Sequence, residues 1–283
     1  MTKVLLLSVT VTDRKPWEGQ GKDMRTRWLA LSFLLLPLLV LGAYADTITI
    51  HLGTAGSYAV LAGSTVTNTG SSVLTGNLGV SPGSAVTGFP PGIVNGGTTH
   101  AGDAAAAQAQ LDLTTAYNTA VGLFPTSTLT GQDLGGLVLN PGVYFFSSSA
   151  QLTGQLTLNN NGNPNAVFVF QIGSTLTTAS SSSVIFTNGP DKNVYWQVGS
   201  SATLGTTTKF QGNILALTSI TLNTGASIGC GSALARNGAV TLDSNVIGGG
   251  CGSQTTVPEP GTLGLLGTGL AILTGAARRR LRI

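Results

Sequence analysis

Thr203-Leu204-Gly205, Thr221-Leu222-Asn223 and Thr241-Leu242-Asp243 repeat one short pattern, and Thr157-Leu158-Asn159 and Thr175-Leu176-Thr177 precede them in the same form. The central leucines stand at 158, 176, 204, 222 and 242, giving steps of 18, 28, 18 and 20 residues. Recurrence at about 20 residues is the mark of stacked coils, each too small to bury its own apolar face. The spacing predicts four coils of a β-solenoid between Gln155 and Ile247, one of them carrying an insertion of about ten residues. The turn signal Asn188-Gly189-Pro190-Asp191 places that insertion near Thr187–Asn193.

Side chains alternate faces along a strand, so inward leucines send their two neighbours outward together. Thr157, Thr175, Thr203, Thr221 and Thr241 then form one exposed column, and Asn159, Thr177, Gly205, Asn223 and Asp243 the next. Threonine is also simply a good exposed strand residue, so the columns alone do not define a site. Phe168, Phe186 and Ile214 each fall ten residues after a repeat leucine, which is read as support for this register and for aromatics filling the interior.

The rest of the chain is consistent with a mainly β fold. Short strands are expected in Tyr58–Ala62, Ser64–Asn68, Leu74–Val80, Leu137–Leu139, Val143–Phe146, Val167–Gln171 and Val194–Val198, separated by Gly, Pro and Asn turns. One helix is expected over about 103–122. Asp103 is its N-cap, Ala106, Ala109, Leu113, Tyr117, Ala120, Val121 and Phe124 form its packing face, and Gly122 and Pro125 mark its end. Gln108, Asp112, Thr115 and Asn118 fall on the wet side.

Both ends read as address labels. Met1–Asp23 has no assigned folded role. Arg25 and Arg27, the apolar run Trp28–Leu41 and the exit Gly42-Ala43-Tyr44-Ala45 are the parts of a secretory signal peptide, with cleavage expected after Ala45. This divides the chain into residues 1–45, a folded domain over 46–253, and a C-terminal segment over 254–283. In an exported protein Cys230 and Cys251, about one coil apart, are expected to form a disulfide pinning the last coil.

Charge excludes several functions. Between Asp46 and Val257 the cations are Lys192, Lys209 and Arg236 and the anions Asp46, Asp103, Asp112, Asp133, Asp191 and Asp243, a balance of 3 − 6 = −3. The surplus positive charge of the whole chain, +3, therefore sits in its ends, and no basic groove for nucleic acid is expected. No acidic pair or metal-ligand spacing is present. His51 and His100 have no evident nucleophile to serve, and His100 reads as a loop or capping residue. No enzyme, cofactor or metal is expected.

Val257-Pro258-Glu259-Pro260-Gly261, an apolar run over Thr262–Ala277 and the basic stop Arg278-Arg279-Arg280-Leu281-Arg282 resemble the PEP C-terminal sorting signal of Gram-negative bacteria. That resemblance implies an exosortase-type processing enzyme as partner and an extracellular or cell-surface location, with transient membrane anchoring through the tail.

Leu52-Gly53-Thr54-Ala55-Gly56-Ser57-Tyr58-Ala59-Val60-Leu61-Ala62, Gly76-Asn77-Leu78-Gly79-Val80-Ser81-Pro82-Gly83, Leu139-Asn140-Pro141-Gly142-Val143-Tyr144, Val167–Ile172, Asn193–Val198 and Gly212–Ala216 resemble, in the same order, segments of the microbial ice-binding proteins. The resemblance implies a right-handed discontinuous β-solenoid with one long helix packed alongside. It also implies an ice crystal surface as partner and a flat threonine-rich face that contacts it. Candidate contact residues are Thr157, Thr175, Thr177, Thr203, Thr221, Asn223 and Thr241. The family's Thr-(Ala/Gly)-x-(Thr/Asn) steps have relatives here in Thr69-Gly70-Ser71-Ser72, Thr178-Ala179-Ser180-Ser181 and Thr224-Gly225-Ala226-Ser227, which makes Thr69, Thr178, Thr224 and Ser227 a second set. The rival reading is a cell-surface adhesion or matrix protein that binds exopolysaccharide or cell envelope, which would call for an exposed aromatic row.

Overall fold

The computed structural model describes residues 48–248. The leader, the C-terminal segment and Cys251 lie outside that range. Within it the backbone winds as a three-sided solenoid of parallel strands. Sheet A has nine strands, sheet B seven and sheet C eight, and each coil visits them in the order A, B, C. One coil, for example, runs Asn213–Ala216 in A, Ile220–Leu222 in B and Ser227–Ile228 in C.

Spatial order differs from chain order. Along sheet A the strands stack as Thr99–Ala101, Asn77–Val80, Tyr58–Ala62, Ala233–Ala235, Asn213–Ala216, Val194–Val198, Phe168–Ile172, Gly142–Phe146 and Ser127–Thr128. The first two coils in sequence are thus laid on top of the last. The seam is in register on every side: Val60 opposes Ala233, Thr67 opposes Thr241 and Val73 opposes Val246. This is the discontinuity the resemblance implied.

Inward residues form one continuous core. On sheet A, Tyr144, Phe170 and Trp196 stack on successive rungs with ring centroids 5.4 and 3.8 Å apart, and Phe210 from sheet C lies 4.8 Å from Trp196. The buried Trp196 indole donates to Gln211 O at 2.9 Å, so its polar atom is satisfied inside an apolar wall. Coils around these rings are long. Tyr144 pairs with Phe170 and Phe170 with Trp196, steps of 26 residues, whereas Trp196 to Ile214 and Ile214 to Ala233 are 18 and 19.

The expected coil lengths and register need correction at this point. The extra residues do include the link from Thr187 to Val194, but a comparable link joins Asn159 to Phe168 one coil earlier. The leucine count missed it because Leu158 belongs to sheet C while Leu176, Leu204, Leu222 and Leu242 belong to sheet B. Phe186 likewise lies on sheet C, unlike Phe168 and Ile214, so the ten-residue offset mixed two faces. Strand alternation separates inward from outward; it does not say which of three sides a strand occupies.

The helix, α1 (Ala104–Gly122), carries the chain from one edge of sheet A to the other. Its length of about 28 Å at 1.5 Å per residue, with its flanking links, suits a sheet of nine strands spaced about 4.8 Å apart. Asp103 is the N-cap, its carboxylate accepting from the Ala106 amide at 2.9 Å and from His100 Nδ1 at 2.8 Å. His100, expected to be a loop or capping residue, instead lies on the sheet A strand Thr99–Ala101 and holds the carboxylate of the cap. Ala109, Leu113, Ala116, Tyr117 and Ala120 pack on the outward side chains Tyr58, Leu61, Val143, Val169, Tyr195, Leu215 and Leu234 of sheet A. Val121 and Phe124, expected on this face, are 52% and 92% exposed. The chain turns away after Gly122, and Ala116 fills the helical position between Leu113 and Ala120 instead.

Buried polar groups fasten the helix. Gln171 donates to Ala120 O at 2.7 Å and Leu123 O at 2.8 Å, meeting carbonyls that a helix C-terminus leaves unpaired. Gln197, its partner on the next rung, donates to Tyr117 Oη at 2.9 Å, and Arg236 lies 4.7 Å from the Tyr117 ring centre. Near the middle of the helix Asp112 accepts from the Thr54 hydroxyl at 2.6 Å and the Thr54 amide at 2.7 Å.

Replacing Gln171 by alanine should lower stability by about 1–3 kcal/mol, since carbonyls behind the helix lose their donor; urea unfolding followed by circular dichroism measures it. The Thr54 hydroxyl, then the Thr54 amide, hold the Asp112 carboxyl below its ordinary value. A lowered folded value means that this contribution is present above about pH 4 and is lost as the pH falls through the folded value. Asp112→Ala should accordingly flatten the fall in melting temperature on acidification below about pH 4, while a fall of unchanged steepness would remove Asp112 from the acid response.

Candidate functional site

Of the three sides, sheet A is covered by α1, while among the described residues nothing covers B or C. Sheet B carries the ordered one. Its outward residues pair rung to rung as Gln151–Thr177–Thr203–Thr221–Thr241–Thr67–Thr87. Thr177 through Thr87 make an unbroken column of threonines crossing the seam between the last coil and the first. At a rung spacing of about 4.8 Å the column is about 24 Å long.

Two residues earlier on each strand the same register sets Ser149, Thr175, Ser201, Ser219, Ala239, Thr65 and Ala85 side by side. These columns differ chemically. Four hydroxyls of the flanking column are engaged by the protein: Thr175 donates to Ser149 Oγ at 2.8 Å, Ser201 Oγ accepts from the Ser219 amide at 3.3 Å, and Ser219 Oγ accepts from the Ala239 amide at 3.2 Å. Among the described residues, no protein group hydrogen-bonds the Oγ1 atoms of Thr67, Thr87, Thr177, Thr203, Thr221 or Thr241. Each presents a hydroxyl and a methyl outward on a β-branched side chain stiff at χ1.

Charge is confined to the borders. Asp243, beside Thr69 at the B–C corner, has its carboxylate tied sideways by Thr224 Oγ1 at 2.5 Å and Ser244 Oγ at 3.2 Å. Asp133 lies beside Gln151 at the far end, accepting from the Gly135 and Thr153 amides at 2.7 and 2.8 Å.

The expected site residues sort accordingly. Thr203, Thr221 and Thr241 share one column as expected, and Thr177 joins it rather than its neighbour. Thr175 is two residues out of step and falls in the flanking column. Thr157 is on sheet C, between Val138 and Ile185, and does not belong to this face. Asn223 is exposed where its strand bends into the B–C corner. The preceding position, Gly205, is buried, and a Cβ there would come within 2.6 Å of Thr178 O, so close packing of coils dictates its lack of a side chain.

In the second set, Thr69 is exposed on sheet B and Thr224 sits at the corner bound to Asp243. Ser227 is half-buried on sheet C. Thr178 is buried and points inward, where its hydroxyl meets Thr208 Oγ1 at 2.9 Å and accepts from the Gly205 amide at 2.9 Å. It is a structural residue and not an exposed contact. Thr67, Thr87, Thr65, Ser201 and Ser219 were missed. The first coils had no detectable phase relative to the last ones, although Thr65-Val66-Thr67-Asn68-Thr69 shows the right alternation.

Sheet C is a poorer lattice. Its outward row reads Gln155, Ser183, Lys209, Ser227, Val246, Val73 and Ile93, mixing a cation with exposed aliphatics. Cys230 is not a free thiol, and its expected partner Cys251 lies outside the described residues. No cluster able to hold a metal occurs among the described residues.

Thr178→Val should destabilise the fold by about 1–3 kcal/mol by stranding the Gly205 amide, with the outward face of sheet B unchanged. Equilibrium unfolding and the exchange rate of the Gly205 amide would report it.

Similarity to known proteins agrees with this geometry. Residues 60–248, which is 189 of 283, match the ice-binding-like family, and residues 256–280 match the PEP-CTERM protein-sorting motif. An ice-binding protein of Nostoc sp. (strain HG1) is 63% identical over 236 residues, covering 82% of this chain and 87% of the relative. The crystal structure of an ice-binding protein from an Antarctic biological consortium superposes with a TM-score of 0.68 at 51% identity, covering 70% of this chain and 90% of that one. That of the Antarctic ascomycete Antarctomyces psychrotrophicus gives 0.69 at 41% identity, with 72% and 99% covered. Those solved chains consist almost wholly of the matched part. A β-solenoid that presents a threonine lattice on sheet B, together with these likenesses, makes this chain a member of the ice-binding-like family.

Proposed function

We propose that the chain adsorbs to ice through the outward face of sheet B and slows ice growth or recrystallisation without turning anything over. The column Thr177–Thr203–Thr221–Thr241–Thr67–Thr87 carries this reading, because its hydroxyls have no protein partner and its methyls share one surface. Hydrogen-bonded rungs fix the spacing along the column at about 4.8 Å, and alternate residues along a strand fix the spacing across it at about 6.6 Å. Water held on such a lattice is ordered before it joins a crystal. Rigid side chains on a rigid backbone lose little entropy on contact. Many weak contacts then act together, since protein and crystal both repeat. Charged groups would keep their own hydration, and here they stand at the margins.

The flanking column, in which Ser149, Thr175, Ser201 and Ser219 have protein partners, is the edge of the site, and Thr175 belongs to it. The polysaccharide reading finds no support in the aromatics: Tyr144, Phe170, Trp196 and Phe210 are stacked inside the solenoid. The sorting motif over 256–280 favours export and delivery to the cell surface, with an exosortase-type enzyme acting on the tail.

Changing Thr203 and Thr221 together to tyrosine should raise the concentration needed to inhibit recrystallisation by about tenfold or more, equivalent to at least about 1.4 kcal/mol of lost adsorption. Thr157→Tyr on sheet C should leave it unchanged. Equal loss in both variants, each folded by circular dichroism, would move the site off sheet B, and a folded parent without inhibition would end the ice-binding reading.

A further inference from the structure

In a three-sided coil that runs A, B, C, the C–A corner is the one that sheet B does not border. The described chain ends at that corner. Val246 and Ile247 pair with Ser227 and Ile228 on sheet C, and the Gly248 amide donates to Ile228 O at 3.0 Å. One coil earlier the chain turns the same corner through Gly229, Cys230 and Gly231 before entering sheet A at Ala233. Gly248, the last described residue before the sorting motif, therefore lies at the corner opposite the threonine column.

The height of departure matters as well. The rung of Ala233–Ala235, Val240–Asp243 and Val246–Ile247 lies within the stack, flanked on sheet A by Asn213–Ala216 on one side and Tyr58–Ala62 on the other. A chain held at an end rung would stand upright and present one tip of the column. Held from its flank, it lies broadside, with the whole column directed away from the point of attachment. Residues 249–255 separate Gly248 from the start of the motif at 256, eight steps that reach at most about 29 Å at 3.6 Å each. A tether of that length keeps the solenoid close to whatever holds its C-terminal end.

We propose that the protein works while attached: its C-terminal end is held at the cell surface, sheet B faces outward, and the same molecule links that surface to ice. The proposal rests on the sheet B reading and adds that attachment leaves the lattice unobstructed along its full length. Many copies on one surface would then share a single crystal face, so individually reversible contacts become a durable hold. Sheet A cannot serve in this way because α1 covers it, and sheet C adjoins the corner from which the tether leaves.

The full chain can be coupled to fluorescent beads through a single azide-bearing residue, placed after Ser253 or at Thr203. Capture of beads by a slowly growing ice surface is scored beside incorporation of the uncoupled proteins. Beads joined after Ser253 should be captured as efficiently as the free protein partitions, and beads joined at position 203 at least tenfold less. Failure of the Ser253-linked beads while the free protein enters ice would overturn the attachment geometry and leave ice binding standing. Exclusion of the free, folded parent from ice would defeat the underlying function. Equal capture through positions 203 and 253 would overturn the assignment of the face to sheet B.

Discussion

Everything in this molecule depends on the in-register parallel pairing of its coils. Rung after rung, one backbone hydrogen-bonds to the next at a spacing that the peptide group sets, not the side chains. The same pairing that aligns Tyr144, Phe170 and Trp196 inside aligns Thr177, Thr203 and Thr221 outside. Core packing and surface lattice are two faces of one register. A slip by a single residue would bury the threonines and expose the leucines, which is why the register is held so firmly.

The seam extends that lattice beyond what the continuous part of the chain could supply. Thr67 and Thr87 come from the first coils in sequence yet continue the column begun by the last ones. They reach that position because α1 returns the chain to the far edge of sheet A, letting the later coils climb back to meet the earlier ones. The helix is consequently more than a lid on sheet A. Gln171, Gln197, Arg236 and Asp112 fasten it with polar contacts, and its apolar side covers the outward residues of sheet A that would otherwise be a sticky surface.

Each side of the solenoid thereby has a separate task. Sheet A is closed by α1, the described chain ends at the C–A corner, and among the described residues nothing covers sheet B, whose charged groups stand at its borders. Asp243 and Asp133 illustrate how the edges are kept quiet, since each carboxylate is bound sideways by neighbouring hydroxyls or amides.

Much of this was readable from the residues. Strand alternation in Thr203-Leu204, Thr221-Leu222 and Thr241-Leu242 established inward leucines and outward threonines, and Asp103 with the alanine-rich run after it established the helix. These features are local: alternation and capping depend on neighbours along the chain. Which side each strand occupies was not local. Thr157-Leu158 and Thr203-Leu204 are alike in sequence, yet they lie on sheets C and B because the first follows a B–C corner and the second an A–B corner. Thr178 resembles its exposed neighbours and points inward, since the Gly205 amide and the Thr208 hydroxyl await it there. Thr67 and Thr87 could not be joined to the column by any count along the chain, because more than 140 residues separate them from Thr241 and only the seam brings them together. By itself the sequence determined that a threonine lattice would exist; corner lengths and the meeting of the chain's two ends, which are properties of the closed coil, decided which threonines compose it.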